Sequence, residues 1–297
     1  MKGGRIMGNE GVKKGILVPL IQGVVITYTF LVVEYVFLKL GLFEGALRLY
    51  LTDPALRFIF GGATLFFISA NYKKQRSIYS LKELFTNRFS GKTYIYLLPF
   101  FLYLISDLLM IVFSNRHSFK AAGLFALNCI QQVGTGFYEE AVRVLILCGL
   151  VKYLCGTKAG RIKTILISGA LFGLSHALNF LYGQDLPSTL LQVFSCFIWG
   201  MFMAAIFIYS RSMTLLMILH AVWDIVIRIP NAFFGFPDQS AGLEVLDTMG
   251  YVIQYGLMTF TAVVICLKYN NCPSNESDRG IGHEKDFEIN EKRNVSC

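Results

Sequence analysis

Long apolar segments recur along the 297-residue chain and strongly limit the folds open to it. The first, residues 15–40, is long enough to cross about 30 Å of hydrocarbon as a helix. Charged residues make up 15% of the chain, whereas they supply about a quarter of an ordinary soluble domain. The sequence therefore predicts an all-α, polytopic membrane protein.

Eight crossings account for the apolar segments. After residues 15–40 they lie at residues 54–72, 93–114, 119–154, 161–182, 187–209, 213–229 and 244–267. The fourth is expected to break at Gly134 and Gly136 and to resume at Glu139, beside protein or a water-filled cavity that satisfies the freed backbone. If the resumed part crossed separately, the count would be nine. Residues 81–89 are amphipathic and predict an interfacial helix.

The basic residues predict how the chain is oriented. Lys and Arg number 20 in the two terminal segments and the loops on the same side, against 6 on the other side, with Arg143 inside a span. The positive-inside rule then predicts a multi-pass protein of the cell membrane with both termini in the cytoplasm. The same distribution explains the net charge of +8, so no nucleic-acid partner is expected.

Three regions follow from this topology. Residues 1–14 form a cytoplasmic arm, and residues 15–267 form the transmembrane bundle, with a core of catalytic type at about 119–229. Residues 268–297 mix both charge signs with Asn, Ser and Gly, a composition typical of a disordered tail. Seven cysteines without paired spacing indicate neither a disulfide framework nor a zinc knuckle.

Two adjacent carboxylates and an arginine lie inside the fourth apolar segment. Such ionisable groups are costly at membrane depth and usually functional. Glu139 and Arg143 are spaced i,i+4 on one helical face and are expected to pair, while Glu140 is turned about 100° away. A structural ion pair between helices is the alternative. The spacing separates the roles of the two glutamates but does not assign them.

Two of the four histidines lie in later apolar segments, each with a polar residue nearby. His176 follows Phe172 and precedes Asn179, and Asp224 follows His220 at i+4, where its carboxylate is expected to orient the imidazole. A Glu with two His suits either a metal-activated water or a metal-free general base with oxyanion donors. Asp107, within the third segment, has no partner visible in the sequence.

These motifs, in this order, resemble the CPBP (Abi) family of CAAX-processing and bacteriocin-processing intramembrane endopeptidases. The matching residues are Glu139, Glu140, Arg143, Phe172, His176, Asn179, His220 and Asp224. One departure is that the family pattern has three residues between the second Glu and the Arg, whereas only Ala141 and Val142 stand there in this chain. The usual geometry of the pair with Arg143 is therefore expected to change.

The resemblance implies roles for these residues. The first glutamate and the first histidine would activate the hydrolytic water, and the second histidine with its partner would stabilise the oxyanion. An ionised Asp224 cannot donate a hydrogen bond to an oxyanion, so it would orient His220 instead. The residues permit a zinc ion held by His176, His220 and Glu139 with one open position, but they do not require it.

The predicted function is an intramembrane endopeptidase that cuts a membrane-associated peptide or lipidated protein in a cavity near the cytoplasmic side. A prenylated CAAX-type protein and a bacteriocin- or pheromone-type peptide are both candidate substrates, and membrane lipid is the surrounding partner. Two alternatives stay open at this point: a non-catalytic immunity or scaffold protein of the same fold, and a small transporter that uses the same residues as an ion or proton path.

Overall fold

The protein is helical throughout the part that the structure describes. This computed structural model describes residues 9–42, 46–86, 91–113, 122–234 and 241–269, and none of them forms a strand. Within those ranges the α-helices are α1 (Asn9–Lys39), α2 (Ala46–Lys73), α3 (Leu81–Thr86), α4 (Gly91–Tyr96), α5 (Leu98–Phe113), α6 (Ala122–Leu154), α7 (Lys158–Ser175), α8 (Leu186–Ser210), α9 (Met213–Phe234) and α10 (Ala241–Lys268). A 3-10 helix, His176–Tyr182, joins α7 to α8.

Five helical segments of the described part are long and apolar enough to cross a membrane. They are Glu10–Lys39, Tyr50–Lys73, Lys158–Tyr182, Leu186–Ser210 and Gly250–Lys268. The all-α membrane fold is thereby confirmed, whereas the count of eight crossings stays a prediction. Helix α1 begins at Asn9, inside the expected arm, and nearly all of the expected tail lies outside the described residues.

Helix α6 is the centre of the bundle. It packs against α1, α2, α7 and α9, while α8 packs against α7 and α10. The most deeply buried apolar residues lie on α6, residues 144–151, and on α8, residues 202–208. Because α6 carries both glutamates, its neighbours bring the other polar residues toward them.

The expected break in the fourth apolar segment is wrong. Helix α6 runs without interruption from Ala122 to Leu154, through both glycines. At Gly136 an added Cβ would lie 3.0 Å from the Ala221 amide nitrogen and from the Met217 carbonyl oxygen of α9. The missing side chain therefore brings α9 close to α6 and does not end the helix.

The connection from α7 to α8 places His176 at a helix end. Thr157 caps the start of α7, and His176 is its C-terminal cap and the first residue of the 3-10 helix. Gly183 then turns the chain at a φ of 95°, which favours glycine. Asp185 caps α8 by accepting a hydrogen bond from the Ser188 amide at 2.9 Å, and this bond holds the pKa of its carboxyl below the ordinary value.

Candidate active site

One cavity of about 970 Å³ brings the three predicted constellations together. It is enclosed by residues of α1, α2, α5, α6, α7, α8, α9, α10 and the 3-10 helix. Its lining includes Glu139 and Arg143, Phe172, His176 and Asn179, and His220 and Asp224. Glu140 is not among the lining residues. The two adjacent glutamates therefore occupy different environments.

Glu140 is buried between α6 and α9. Its Oε1 lies 2.7 Å from Nδ1 of His220, and its Oε2 lies 2.9 Å from Nε of Arg143, with 0% of the Glu140 side chain exposed. The contact with Arg143 is an ion pair without hydrogen-bond alignment, since no guanidinium N–H points at an acceptor in the described part. The expectation that Arg143 pairs with Glu139 and leaves Glu140 unpaired is wrong, because Glu140 at i,i+3 turns toward both partners.

Arg143 also lies over an aromatic ring. Its guanidinium carbon is 3.8 Å from the centre of the Phe172 ring, and Phe172 stands edge-on to His176 at 4.9 Å between ring centres. A Cβ added to Gly200 would lie 3.2 Å from Nη1 of Arg143, so the glycine makes room for the guanidinium. Arg143 lies one residue closer to the glutamate pair than in the family pattern. It nevertheless contacts both Glu140 and the ring of Phe172 in the first histidine motif.

Glu139 is the carboxylate that reaches the cavity, with 20% of its side chain exposed. Its Oε2 lies 3.6 Å from Nε2 of His220, and its Oε1 lies 3.7 Å from Nη1 of Arg57 on α2. The imidazole of His220 therefore has one glutamate near each ring nitrogen. Only the Nε2 side belongs to the cavity.

Arg57 is a site residue that the sequence interpretation missed. Its Nε donates to both carboxylate oxygens of Asp53 at 3.0 and 2.9 Å, and its Nη2 lies 3.4 Å from Oε1 of Glu34 on α1. Gln131 on α6 donates to Oδ2 of Asp53 at 2.8 Å. The i,i+4 spacing of Asp53 and Arg57 was the available signal, but nothing in the sequence connects that pair with Glu139.

His176 has a defined tautomer. Its Nδ1 lies 2.9 Å from the Phe172 carbonyl oxygen, and a carbonyl only accepts, so Nδ1 carries the proton. In the neutral ring Nε2 then keeps a lone pair and can accept a proton, and His176 lines the cavity. Asn179, one turn later, donates to Gln192 Oε1 at 2.9 Å and fastens the 3-10 helix to α8.

The carboxylate of Asp224 lies near Nε2 of His220 and not near Nδ1. Its Oδ2 lies 3.7 Å from Nε2, whereas Glu140 makes the shorter contact at Nδ1. The orienting contact that we expected from Asp224 is thus made by Glu140. Asp107 interacts with Tyr103 on α5 and is not a lining residue of the cavity.

No three His, Cys, Asp or Glu side chains are grouped as metal ligands in the ranges that the structure describes. The zinc set of His176, His220 and Glu139 therefore stays a prediction of the resemblance.

Comparison with known proteins assigns the central part of the chain. Residues 121–226, from the start of α6 into α9, match the family described as type II CAAX prenyl endopeptidase, Rce1-like. Over these residues the chain is similar to that family. The match confirms the resemblance to the CPBP family and contains all three motifs. No curated protein and no solved structure matches the chain.

The Rce1-like segment does not contain the whole cavity. Glu34 and Arg57 line the cavity from α1 and α2, and Tyr251 and Tyr255 line it from α10. All four lie outside residues 121–226. The family match thus indicates a CAAX-type intramembrane protease, while helices on both sides of the matched segment complete the surroundings of its polar residues.

Proposed function

We propose that the protein is an intramembrane endopeptidase that hydrolyses a peptide bond of a membrane-associated peptide or protein. The observation that carries this proposal is the position of Glu139, whose Oε2 is 3.6 Å from Nε2 of His220 within a cavity that His176 also lines. Peptide hydrolysis within a bilayer needs water that is held and deprotonated locally. A carboxylate and two imidazoles around one cavity supply groups for both tasks.

In the first step of the reaction, the attack of water, Glu139 acts as the general base. A water bound between Glu139 and His176 loses its proton to the Glu139 carboxylate while its oxygen attacks the carbonyl carbon of the substrate. His176 accepts a hydrogen bond from that water at Nε2, because its Nδ1 proton is engaged by the Phe172 carbonyl. Glu139 later gives the proton to the leaving amide nitrogen, so the proton taken from the water ends on the new amine.

His220 acts as the oxyanion donor while the water attacks. Glu140 contacts Nδ1 at 2.7 Å, so a His220 ring protonated on both nitrogens presents Nε2–H to the cavity. A preorganised donor of this kind stabilises the negative charge that develops on the tetrahedral carbonyl oxygen. Asp224 lies on the Nε2 side at 3.7 Å and would keep that proton in place before substrate arrives.

The substrate belongs to one of two classes under this proposal: a prenylated CAAX-type protein or a bacteriocin- or pheromone-type peptide. The protein would act in the cell membrane with both termini in the cytoplasm, surrounded by lipid. A zinc ion on His176, His220 and Glu139 would instead supply a metal-bound water. Cleavage that survives a strong zinc chelator supports the metal-free mechanism, and loss of cleavage that added zinc restores contradicts it.

The test is cleavage of fluorogenic peptides by the full chain purified in detergent. Peptides with and without a prenylated cysteine are compared, and Glu139→Gln, His176→Ala and His220→Ala are each expected to lower kcat by at least about a hundredfold, the usual contribution of general acid–base groups. Glu10→Gln, on the exposed first turn of α1, is the matched carboxylate control. Full cleavage by all three variants would remove these residues from the mechanism. A native chain that is abundant in the membrane but cleaves no peptide would support a scaffold, and loss of ion flux in the variants without any cleavage would support a transporter.

A further inference from the structure

Six basic residues gather where α1 begins and where α2 and α6 end. Gly15 of α1 packs so closely on the Tyr153 ring of α6 that an added Cβ would overlap it. Lys152 and Tyr153 both donate hydrogen bonds to the carbonyl oxygen of Gln75, in the turn that follows α2. These contacts join the three helix ends. We name the cations around them the α1–α2–α6 patch, which consists of Lys13, Lys14, Lys73, Lys74, Arg76 and Lys152.

The turn after α2 holds its cations in a fixed place. The Asn71 carbonyl accepts a hydrogen bond from the Arg76 amide at 2.8 Å, and Gln75 between them has a φ of 56°, in the left-handed region. The Asn71 side chain donates to Oε1 of Gln22 on α1 at 2.7 Å. Arg76 also interacts electrostatically with Tyr153 at the end of α6. The turn is therefore fastened to both α1 and α6.

The patch has more positive charge than the nearby carboxylates offset. The lysines of α1 and at the end of α2 are exposed, and neither they nor Arg76 form an ion pair within the described residues. The acidic residues closest to the patch along the described chain are Glu10 and Glu83, and Glu83 accepts hydrogen bonds at 2.7 Å from the amide and hydroxyl of Ser80. Six cations less two carboxylates leave four positive charges. An anionic partner would complement this surface.

An exposed apolar stripe on α1 begins at the patch. Lys13, Leu17, Ile21 and Val25 recur every four residues, so they lie along one side of the helix. The three apolar side chains are 52%, 48% and 55% exposed. A surface that is basic at the helix end and apolar over the following turns fits an amphiphile that lies along the helix.

Helix α2 has a similar stripe that ends at the patch. Ile59, Phe66 and Lys73 are spaced seven residues apart and also lie along one side of their helix. Ile59 and Phe66 are 65% and 71% exposed. The two stripes meet the patch from neighbouring helices, because α1 packs against α2. An acyl chain on either stripe would place its headgroup next to the cations.

We infer that the α1–α2–α6 patch binds the headgroups of anionic phospholipids, whose acyl chains lie on the apolar stripes of α1 and α2. A soluble anion would use the charges alone, whereas a lipid with a negative headgroup uses both the charges and the stripes. Clusters of four to eight basic residues beside membrane spans are typical of binding to anionic lipid. The inference does not depend on the proposed function, since it concerns a surface that contains none of the proposed catalytic residues.

The test measures the binding of individual lipids to the full chain by native mass spectrometry in detergent. The native chain is expected to bind phosphatidylglycerol at least about tenfold more tightly than phosphatidylcholine with the same acyl chains. The double variant Lys73→Gln with Lys74→Gln is expected to lose about tenfold in affinity for phosphatidylglycerol, because each cation near an anionic headgroup contributes several-fold. The matched control is Lys158→Gln with Lys163→Gln, which removes two exposed lysines from α7 and is expected to bind as the native chain does.

Three results would overturn the inference: equal affinity of the native chain for the two lipids, equal loss in both double variants, or unchanged binding by Lys73→Gln with Lys74→Gln. Inorganic phosphate that displaces phosphatidylglycerol at similar concentrations would mean that the patch takes a soluble anion, which also overturns it. The thermal unfolding temperature in phosphatidylcholine is expected to be the same for every variant. If the α2 variant unfolds, Lys13→Gln with Lys14→Gln repeats the measurement on α1, with the same expected loss.

Discussion

His220 Nδ1 lies 2.7 Å from Glu140 Oε1, and this contact separates the roles of two adjacent glutamates. It fixes the imidazole from the buried side, so that Nε2 faces the cavity and Glu139 at 3.6 Å. Glu140 has both oxygens engaged and no access to the cavity. Neighbouring residues of the same type are therefore expected to respond differently to the same substitution.

Glu139→Gln is expected to remove activity without affecting folding. An amide of nearly the same shape keeps the packing of the cavity wall but cannot accept the proton of water, so kcat falls by about a hundredfold or more. The thermal unfolding temperature of the purified variant is expected to stay near that of the native chain. Retained cleavage by Glu139→Gln would remove this residue from the mechanism.

Glu140→Gln is expected to lower stability first. It leaves the buried guanidinium of Arg143, 2% exposed, without its counter-charge, and breaking such a pair typically costs about 3–5 kcal/mol. Thermal unfolding in detergent and abundance in membranes measure the loss. A fully stable but inactive Glu140→Gln would instead mean that Glu140 acts mainly by holding His220 and contributes little to stability.

The double variant Glu140→Gln with Arg143→Met tests whether the two residues act as a pair. Each single change leaves the other residue as a buried charge without its partner. The double change removes both charges and keeps a side chain beside Phe172. The combined loss of stability is expected to be smaller than the sum of the single losses by about 1–3 kcal/mol. Strict additivity in unfolding experiments would mean that the 2.9 Å contact contributes no coupling.

The family resemblance carried by the three motifs predicted that their helices meet at one site. Glu139 lies on α6 and His220 on α9, whereas His176 lies where α7 gives way to the 3-10 helix. The structure brings all three to one cavity, although their chemical roles stay predictions. Patterns within one helix are readable from sequence because their geometry is fixed by the 3.6-residue period.

Relationships between helices were not readable in the same way. The spacing allows Arg143 to pair with Glu139 at i,i+4 or with Glu140 at i,i+3. Only the position of α9 decides that His220 and Arg143 both contact Glu140. Gly134 and Gly136 resembled a helix break because the sequence does not show the partner that packs on them. Arg57 lies some eighty residues before Glu139 and reaches it only through the packing of α2 on α6.

Arg57→Gln is expected to lower kcat while leaving KM nearly unchanged. Arg57 holds Glu139 at 3.7 Å from α2 and is itself fixed by Asp53 and Glu34. Loss of one charged contact to the base, worth about 1.4 kcal/mol, corresponds to about tenfold in rate. Arg57→Lys keeps the charge and is expected to restore part of kcat, whereas a purely structural role predicts falling stability with no rescue of the rate constant.

Gly136→Ala tests how closely α6 and α9 must approach to build the site. The new methyl would meet two backbone atoms of α9, the Ala221 nitrogen and the Met217 oxygen, each at 3.0 Å, and backbone moves less easily than a side-chain tip. Pushing α9 away would lengthen the contact between Glu140 and His220, so stability is expected to fall by about 1–3 kcal/mol and cleavage to fall with it.

The matched control for this change is Gly62→Ala on α2, where nothing lies within 4 Å of the added Cβ. Alanine is the better helix former by about 1 kcal/mol in a helix interior, so this control is expected to be neutral or slightly stabilising. Thermal unfolding and cleavage are measured on both variants. If Gly136→Ala behaved like Gly62→Ala, the close contact of α6 with α9 would not be what positions His220 against the two glutamates.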